Sequence, residues 1–437
     1  MKLIAIWAAK FTLFITKLLR KKGTVLPGRV ALKICPNILK ILSNQVKKEI
    51  ICVCGTNGKT TTNNLIRGIL EKSGHSVVCN SLGANMTDGI TTAFILKTNF
   101  FGKLRADYAT IEIDEAFAQR VFCHFVPAKL VIINLFRDQL DRYGELDTTI
   151  QFLENAIKMA DKATLILNAD DPITASLGVG ETDKLLFGIS ENLNMKPDET
   201  KEGRFCRFCG HALEYDYYYY SQLGMYECKN CGFKRETPHF SASNISLNEG
   251  ISLTVCKRKI TTDIKGFYNI YNLLAAFSVC STLGITENII AEGLKTKMQL
   301  GRMEEFIINQ KKVILNLAKN PTSFNQSIES VLTDKKTKNV MLIINDNDAD
   351  GNDVSWLWDV DFEKLNDNNI LSCYTGGIRS LDMANRLKYA EIDTSKIVTE
   401  KPIENFISQN GETAYIISNY TALFETQSIL KELEKKA

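Results

Sequence analysis

The architecture follows from one segment, Glu49-Ile-Ile-Cys-Val-Cys-Gly-Thr-Asn-Gly-Lys-Thr-Thr-Thr62. Its apolar first half predicts a short buried strand, and its second half predicts a glycine-rich turn that opens a helix. Gly55 and Gly58 let the backbone curl so that successive N–H groups point inward and form an anion cradle. Lys59 can place its ammonium on the outer phosphates of a nucleotide, and Thr60 can offer its hydroxyl to a magnesium ion. The expected phosphate-binding residues are Gly55, Thr56, Asn57, Gly58, Lys59, Thr60 and Thr61.

This loop resembles the nucleotide-binding loop of the Mur ligase family. Members of that family are ATP-dependent enzymes that join amines to carboxylates in cell-wall precursors and folates. The resemblance implies that the chain binds ATP and magnesium, and that Lys59 takes part in catalysis by taking phosphate charge.

Composition sets further bounds. A chain of 437 residues exceeds the usual size of one domain, so we expect two or three domains. The formal net charge of +3 provides no global field for nucleic acid or a membrane surface. Cysteines that stand singly among apolar residues indicate buried thiols in a reducing compartment, so we expect a cytoplasmic protein. These cysteines are Cys35, Cys52, Cys54, Cys79, Cys123 and Cys280.

Residues 1–22 are mostly apolar but carry several basic side chains. Lys10 interrupts the apolar run well short of the roughly 20 residues that a spanning helix needs. No small-residue cleavage site follows, which argues against a signal peptide. Two interpretations stay open. The segment is either a helix packed on the body of the protein or a peripheral helix at the inner face of a membrane, held by Arg20-Lys21-Lys22.

Acidic residues end the strand predicted over residues 108–115. Alternation places Glu112 and Asp114 on one face, where they could hold a metal ion or line a polar cleft. A surface strand would scatter acids in the same way. Parallel strands bring their carboxyl ends to one sheet edge, however, so the upstream phosphate loop favours a site. The segment resembles the second ATP-site motif of the family, which implies that Glu112 holds magnesium beside Thr60.

Two further segments extend the resemblance through residue 172. Asp138-Gln139-Leu140-Asp141 resembles the Asp-His-Leu-Asp loop of the family, with Gln139 where the histidine usually stands. Asn168-Ala-Asp-Asp-Pro172 resembles an element that lies near the nucleotide in the family. Strands that alternate with helical stretches through residue 190 predict a doubly wound α/β domain.

Two Cys-x-x-Cys-Gly knuckles then interrupt this pattern. Four thiolates in such an arrangement can close a tetrahedral zinc site, with each glycine allowing the tight turn under the metal. The expected ligands are Cys206, Cys209, Cys228 and Cys231. A redox pair is the alternative. Because no ligand position stays open, the zinc is expected to be structural. The tyrosines between the knuckles could stack on nucleic-acid bases, or they could cover a small core.

The α/β pattern resumes at Ile264. Asn269 and Asn272 share a helical face and resemble the Asn-x-x-Asn-x-x-Ala-Ala helix of the family, which implies that Asn272 approaches the adenine. The segment at Arg302 resembles the hinge before the C-terminal domain of the family, and we expect this arginine in the nucleotide site. Asn316-Leu-Ala-Lys-Asn-Pro321 resembles a family strand end, with Lys319 in place of a histidine.

An acidic loop follows the buried strand at residues 340–344. It imitates a calcium loop, but Leu357 occupies the position that needs a bidentate acid, so calcium is not expected. Acidic loops at strand ends are where α/β proteins place chemistry or partners. The Asp353-x-Ser-Trp segment resembles the one that offers a carboxylate to a partner enzyme in the family, which implies a catalytic role for Asp353.

The predicted fold class is α/β. We expect an N-terminal helical segment (1–46), a doubly wound P-loop ATPase domain (47–300) with a zinc-ribbon insertion (204–235), and a C-terminal Rossmann-like α/β domain (301–437). The resemblance covers almost the whole chain. Its ribbon, Ala-Lys-Asn-Pro and Asp-x-Ser-Trp segments narrow it to the MurT-type branch, the subunits of lipid II isoglutaminyl synthase.

That branch implies ATP-dependent amidation of the α-carboxyl of D-glutamate in the lipid II stem peptide, through an acyl phosphate. The sequence contains no nucleophile-elbow cysteine with an evident histidine partner, so the implied ammonia source is a separate GatD-type glutamine amidotransferase. Two alternatives stay open. One is a Mur-type or folate-type ligase that adds an amino acid. The other is a P-loop ATPase that grips nucleic acid through its ribbon, although the ribbon has no basic stripe and we expect no nucleic acid.

Overall fold

A computed structural model describes residues 1–19, 23–80, 83–138, 146–181, 183–195, 203–248, 250–295, 303–399 and 402–437. A nine-stranded sheet organises the first two thirds of the chain. Its strands are β1 (Ile50–Cys54), β2 (Val77–Cys79), β3 (Tyr108–Glu112), β4 (Lys129–Ile132), β5 (Thr164–Asn168), β6 (Lys184–Ile189), β9 (Phe240–Ser246), β10 (Ile251–Val255) and β11 (Arg258–Thr262).

The strand order in this sheet is β11-β10-β9-β6-β5-β4-β1-β3-β2. All neighbours from β2 to β9 pair in parallel, whereas β10 pairs antiparallel with both β9 and β11. The antiparallel strands β10 and β11 were not expected. The sequence analysis placed the return of the α/β pattern at Ile264, which follows both strands. In β10 buried and half-buried residues alternate, as is usual for a sheet that is covered on one face.

Helices cover both faces of this sheet. They are α1 (Lys2–Leu18), α2 (Leu26–Ile34), α3 (Ile38–Ser43), α4 (Lys59–Lys72), α5 (Thr87–Leu96), α6 (Ala118–Phe122), α7 (Leu146–Met159), α8 (Pro172–Ser176), α9 (Asn269–Thr282) and α10 (Glu287–Gly293), with a 3-10 turn at Glu115–Phe117. Successive residues of a strand point to opposite faces. Ile50, Cys52 and Cys54 accordingly enter one hydrophobic core, and Ile51 and Val53 enter the other.

The first core also receives the N-terminal helices, through Ala5, Ile6 and Ala9 of α1. Among the described residues, no helix has both the length and the apolar character that crossing a membrane requires. Most of the singly placed cysteines are buried as expected, but Cys123 is exposed, and that expectation was wrong for it. Cys123 is the residue just past the short α6, where the chain already turns toward solvent.

A small two-stranded antiparallel sheet lies between β6 and β9. It comprises β7 (Glu214–Tyr218) and β8 (Gly224–Glu227). Tyr219 and Tyr220, just after β7, are buried in the second core of the large sheet rather than exposed for base stacking. These two tyrosines therefore cover a hydrophobic core, which is one of the two roles that the sequence analysis considered for them.

A six-stranded sheet organises residues 303–437. Its strands are β12 (Glu304–Ile308), β13 (Lys311–Leu317), β14 (Lys338–Ile343), β15 (Ile370–Gly376), β16 (Ile397–Thr399) and β17 (Thr413–Ser418), in the order β12-β13-β17-β14-β15-β16. Only β12 is antiparallel to its neighbour. The helices are α11 (Pro321–Thr333), α12 (Ser380–Tyr389), α13 (Ile403–Ile407) and α14 (Tyr420–Lys436), with 3-10 turns at Ser355–Asp359, Phe362–Leu365 and Thr394–Lys396. These strands and helices form a second α/β unit.

Candidate functional site

The glycine-rich loop lies between β1 and α4, at the carboxyl edge of the parallel strands. Gly55 and Gly58 have φ angles of +132° and +88°, which residues other than glycine adopt only with backbone strain. A Cβ atom on Gly58 would also lie 2.0 Å from Oδ1 of Asn272. The loop thus needs glycine at position 58 for two independent reasons.

Asn272, on α9, packs against this loop and is buried. Its Oδ1 accepts a hydrogen bond from the hydroxyl of Thr62 at 3.2 Å, and its Nδ2 donates to Oδ1 of Asn269 at 2.7 Å. Asn269 in turn donates to the carbonyl oxygen of Lys265 at 2.6 Å. The pair therefore fixes α9 against the start of α4, and the predicted approach of Asn272 to an adenine stays a prediction.

Lys59 lies under the loop in a buried ion pair. Its Nζ donates to Oε1 of Glu115 at 3.0 Å and to the carbonyl oxygen of Gly55 at 2.6 Å. The same Oε1 accepts the N–H of Gly55 at 2.6 Å, so one carboxylate holds both the loop backbone and the lysine. Burial alone would lower the pKa of Lys59, but the carboxylates of Glu115, Asp114 and Glu112 raise it, so the side chain is charged.

The sequence analysis missed Glu115. The signal that could have found it is its position, three residues beyond Glu112 at the end of the same strand. Parallel strands that meet at one edge bring such residues next to the phosphate loop.

Thr60 and Glu112 meet beside this pair, as predicted for the magnesium site. The hydroxyl of Thr60 donates to Oε2 of Glu112 at 2.6 Å, and Nδ2 of Asn85 approaches Oε1 at 3.3 Å. Burial raises the pKa of Glu112, and the charge of Lys59 acts against that shift. Hydroxyl and carboxylate oxygens are the donors that a small hard cation prefers, so these two residues fit magnesium.

The other loop residues contact the segment after β4. Thr56 donates through its hydroxyl to the carbonyl oxygen of Phe136 at 3.0 Å. The N–H of Asn57 donates to Oδ1 of Asn134 at 2.9 Å. Thr61 lies in the first turn of α4 and is half-buried.

The C-terminal unit reaches the same loop through the end of β13. Nδ2 of Asn57 lies 3.3 Å from Oδ1 of Asn320, and Nδ2 of Asn320 lies 3.2 Å from Oδ1 of Asn57. Lys319 pairs with Asp138 at 2.6 Å. The lysine that replaces the family's histidine thus faces the first acid of the Asp-Gln-Leu-Asp segment. Gln139, Asp141 and Arg302 lie outside the described residues.

The four predicted zinc ligands come together at the base of the β7–β8 hairpin. Their sulfur atoms all lie within 4.8 Å of one another, with Cys206 to Cys231 at 3.5 Å and Cys209 to Cys228 at 3.4 Å. A tetrahedron with zinc–sulfur bonds of about 2.3 Å has edges of about 3.8 Å, so the cluster fits that ion. Gly210 and Gly232 both have positive φ angles, which the turn after each pair requires.

Buried polar contacts tie this hairpin to the large sheet. Arg235 donates to Oδ1 of Asp170 at 2.7 Å, and the hydroxyl of Tyr271 donates to Oδ2 at 2.9 Å. Nε2 of Gln222 donates to the carbonyl oxygen of Leu135 at 2.7 Å. Asp171 accepts the N–H of Leu135 at 2.9 Å. The Asp-Asp pair therefore braces the strand ends around the nucleotide loop.

In the acidic loop after β14, two aspartates are held by partners within the C-terminal unit. Asp346 pairs with Arg379 at 2.6 Å, and Asp350 is buried against the N–H of Thr421 at 2.9 Å. Among the described residues, only the four cysteines form a cluster of possible metal ligands. Asp353 is half-buried, and its Oδ1 accepts the N–H of Ser355 at 2.8 Å. Hydrogen bonds from Ser355 lower the pKa of Asp353, so this carboxylate is charged.

Comparison with known proteins assigns this geometry to a family. A model of the Mur ligase middle domain matches residues 53–231, and a model of the MurT ligase C-terminal region matches residues 317–423. The chain is 37% identical over 424 residues to the lipid II isoglutaminyl synthase (glutamine-hydrolyzing) subunit MurT of Staphylococcus aureus (strain COL), covering 96% of this chain and 95% of that protein. The chain belongs to the MurT branch of the Mur ligase family. The sequence-based prediction of the family is therefore confirmed.

Other relatives agree with the MurT assignment. The MurT subunit of Streptococcus pneumoniae (strain ATCC BAA-255 / R6) is 35% identical over 418 residues, covering 94% of this chain and 92% of that protein. Among solved structures, a pseudomurein peptide ligase type C from Methanothermus fervidus has a TM-score of 0.70 at 25% identity, covering 90% of this chain and 80% of that one. MurF from Acinetobacter baumannii has a TM-score of 0.66 at 15% identity, covering 93% and 80%, and shows the fold alone.

Proposed function

We propose that this MurT-family chain is the ATP-dependent ligase subunit of a lipid II isoglutaminyl synthase. It is a carbon–nitrogen ligase that amidates the α-carboxyl of D-glutamate in the lipid II stem peptide to D-isoglutamine, with glutamine as the nitrogen donor. The observation that carries the proposal is the identity of 37% to a MurT subunit over 96% of this chain and 95% of the relative. That match spans both α/β units and thus includes the contact between Asn57 of the nucleotide loop and Asn320.

In the proposed reaction, ATP phosphorylates the glutamate carboxylate to an acyl phosphate and leaves as ADP. Ammonia then attacks the carbonyl carbon, inorganic phosphate leaves, and a proton is lost. The N–H groups at the end of the loop and in the first turn of α4 bind the phosphates, because those of Gly55 and Asn57 already donate to Glu115 and Asn134. Lys59 takes phosphate charge, for which it must exchange Glu115 as its partner. Thr60 and Glu112 would hold a magnesium ion, which neutralises phosphate charge when bound.

We assign the four cysteines a structural zinc ion. All four positions of a tetrahedral site would be filled by thiolates, which leaves none for a substrate or water. The proposed work of this zinc is to hold the β7–β8 hairpin, from which Gln222 and Arg235 brace the large sheet.

We further propose that ammonia comes from a GatD-type glutamine amidotransferase that docks on the C-terminal unit. A glutaminase of this kind needs a cysteine activated by a histidine, which a third group must orient. Asp353 is the candidate for that third group because it is charged and half-buried, whereas Asp350 is buried against Thr421.

The nucleotide role is tested by amidation of lipid II with the reconstituted amidotransferase complex. Lys59→Ala should abolish ATP-dependent amidation, because it removes a charge aimed at the phosphates. That change also leaves Glu115 buried without a counter-ion, so the double variant Lys59→Met/Glu115→Gln should be measured as a folded control. Glu112→Ala should remove the magnesium dependence. Normal turnover by the folded double variant would contradict the proposal.

The role of Asp353 is tested by Asp353→Asn in the assembled complex. We expect loss of glutamine-driven amidation, with product restored by free ammonium at high pH, because only the ammonia source is disabled. Asp348→Asn, at an exposed position of the same loop, is the matched control and should keep full activity. Asp350→Asn is a poorer control, because it disturbs the contact with Thr421. Full glutaminase activity in Asp353→Asn would refute the assignment.

A further inference from the structure

The N-terminal helix α1 has two apolar faces of different kinds. One face packs on the first core of the large sheet through the small Ala5 and Ala9, with Ile6. The opposite face carries large apolar side chains at helical spacing, and all of them are exposed. They are Leu3, Trp7, Phe11, Phe14, Ile15 and Leu18, with Phe11 64% and Phe14 65% exposed. Both interpretations that the sequence left open for this segment thus find support, one on each face.

A tight turn over residues 98–104 extends this face. Phe100 and Phe101 at its tip are 67% and 80% exposed. The ring of Phe100 stacks on Trp7 with centroids 5.1 Å apart, and Nε1 of Trp7 donates to its carbonyl oxygen at 3.0 Å. Nζ of Lys10 donates to the carbonyl oxygen of Thr98 at 2.6 Å, which ties the turn to the helix. Helix and turn therefore present one continuous aromatic surface, called here the α1–turn surface.

The distribution of charged residues indicates which kind of partner the α1–turn surface binds. Residues 1–48 contain 11 Lys and Arg and no Asp or Glu, so the remaining residues carry 42 basic and 50 acidic side chains, a net charge of −8. The turn and the residues beside it add Lys103, Lys97 and Arg105, all exposed. The sequence continues from α1 into Arg20-Lys21-Lys22, outside the described residues. A modest overall charge of +3 thus conceals a strongly basic end beside an exposed apolar face.

We propose that the α1–turn surface docks on an anionic lipid bilayer, with α1 lying in the plane of the interface. Aromatic and leucine side chains on one face, with lysines at its borders, are the features of interfacial helices. Trp and Phe partition into the boundary between headgroups and acyl chains, and basic residues add attraction to anionic lipids. A second copy of the chain is a poor occupant, since two such basic ends would repel each other. This inference goes beyond the proposed reaction, whose nucleotide site lies on other residues.

The test is sedimentation of the full chain with vesicles of phosphatidylcholine, either alone or with about one third phosphatidylglycerol. We expect partitioning to be about tenfold stronger on the anionic vesicles. Phe11→Ser/Phe14→Ser/Phe101→Ser should weaken it at least about tenfold, because exposed side chains that insert into lipid are lost. The matched control Val179→Ser/Leu247→Ser/Ile307→Ser removes three apolar side chains that are exposed elsewhere and should have no effect.

A second pair of variants tests the charge. Lys17→Glu/Lys103→Glu should abolish the preference for anionic vesicles, whereas Lys388→Glu/Lys431→Glu makes the same change in net charge at exposed positions of the C-terminal unit and should not. Equal binding to both vesicle types, or equal losses in the control variants, would overturn the proposal. The proposal would also be overturned if the natural protein bound no vesicles and light scattering showed that it forms an oligomer which the triple phenylalanine variant does not form.

The outcome is separable from that of the proposed reaction. Amidation of a water-soluble substrate analogue should be unchanged in the α1–turn variants, because these residues lie outside the nucleotide site, and should be lost in Lys59→Ala. Vesicle binding should instead survive in Lys59→Met/Glu115→Gln.

Discussion

Two oppositely charged side chains, Lys59 and Glu115, face each other beneath the nucleotide loop, and both are almost fully buried. Glu115 also accepts the N–H of Gly55, which is the kind of donor that a bound phosphate would use. A carboxylate thus occupies the electrostatic role of a phosphate in this structure. The proposed role of Lys59 at the phosphates therefore implies that Glu115 competes with the nucleotide for the same positive charge.

We predict opposite effects of Glu115→Gln on the empty and the loaded protein. Without nucleotide, the change leaves Lys59 buried and unpaired, which should lower the free energy of unfolding by about 3 kcal/mol. With ATP and magnesium, the phosphates restore the counter-charge, so the increase in Tm on adding ATP should exceed that of the natural protein. Denaturant unfolding and thermal shift measure the two quantities.

The matched control for this prediction is Asp88→Asn. It breaks an ion pair with Arg29 in which the arginine is 57% exposed, and should cost less than about 1 kcal/mol. An ATP-induced increase in Tm that is the same for Glu115→Gln and the natural protein would show that Glu115 does not compete with phosphate.

At the scale of elements, the β7–β8 hairpin is too short to fold on its own core. Only five buried residues form its cluster, and two of these are cysteines of the proposed zinc site. Isolated two-stranded hairpins are only marginally stable in water, so this one needs additional stabilising contacts. Two features stabilise it, the four-cysteine cluster at its base and the ion pair between Asp170 and Arg235, whose backbone N–H donates to Tyr226 of β8.

We predict about one zinc ion per chain and a local loss of structure when a chelator removes it. Metal analysis should find the ion, and four additional thiols should then become reactive toward a thiol reagent. The background Cys123→Ser/Cys256→Ser removes two exposed thiols that would react in either state. Four freely reactive cluster thiols in the untreated protein would contradict the zinc assignment.

Across the whole molecule, the two α/β units meet at the nucleotide loop. Asn57 and Asn320 are 263 residues apart in sequence and exchange side-chain contacts, while Lys319 pairs with Asp138. Arg137 pairs with Asp359 at 3.0 Å and adds a third link. The contacts are polar and partly exposed, which is typical of interfaces between domains that move relative to one another.

We predict that Lys319→Met loosens this arrangement without unfolding either unit. It removes the ion pair of 2.6 Å with Asp138 that links the two units, so small-angle scattering should show a larger radius of gyration and thermal unfolding should change little. The matched control is Lys364→Met, which breaks ion pairs with Glu329 and Asp361 inside the C-terminal unit. An unchanged scattering profile for Lys319→Met would show that this contact does not hold the units together.

Local sequence determined much of this protein. Apolar runs that end in glycine or acidic residues predicted the parallel strands, because such strands are buried on both faces and place polar residues at one edge. Short-range spacing was enough to predict the strand, glycine-rich turn and helix around Gly55 and the clustering of the four cysteines, since each motif depends mainly on closely spaced residues. Thr60 and Glu112 were paired in advance by the resemblance to the second ATP-site motif of the family, in agreement with a parallel sheet that brings strand ends to one edge.

Tertiary structure decided whatever depends on contacts between distant segments. Nothing in the local pattern distinguishes Glu115 from a surface acid, and only burial beside Lys59 gives it a partner. The hydrogen bonds of Asn272 to Thr62 and Asn269 could likewise not be read from the local pattern, because one of the two partners lies on a distant helix. The exposed face of α1 is likewise known only from the structure, in which Ala5 and Ala9 pack in the core. The sequence pattern of a helix with two apolar faces does not determine which face the fold will bury.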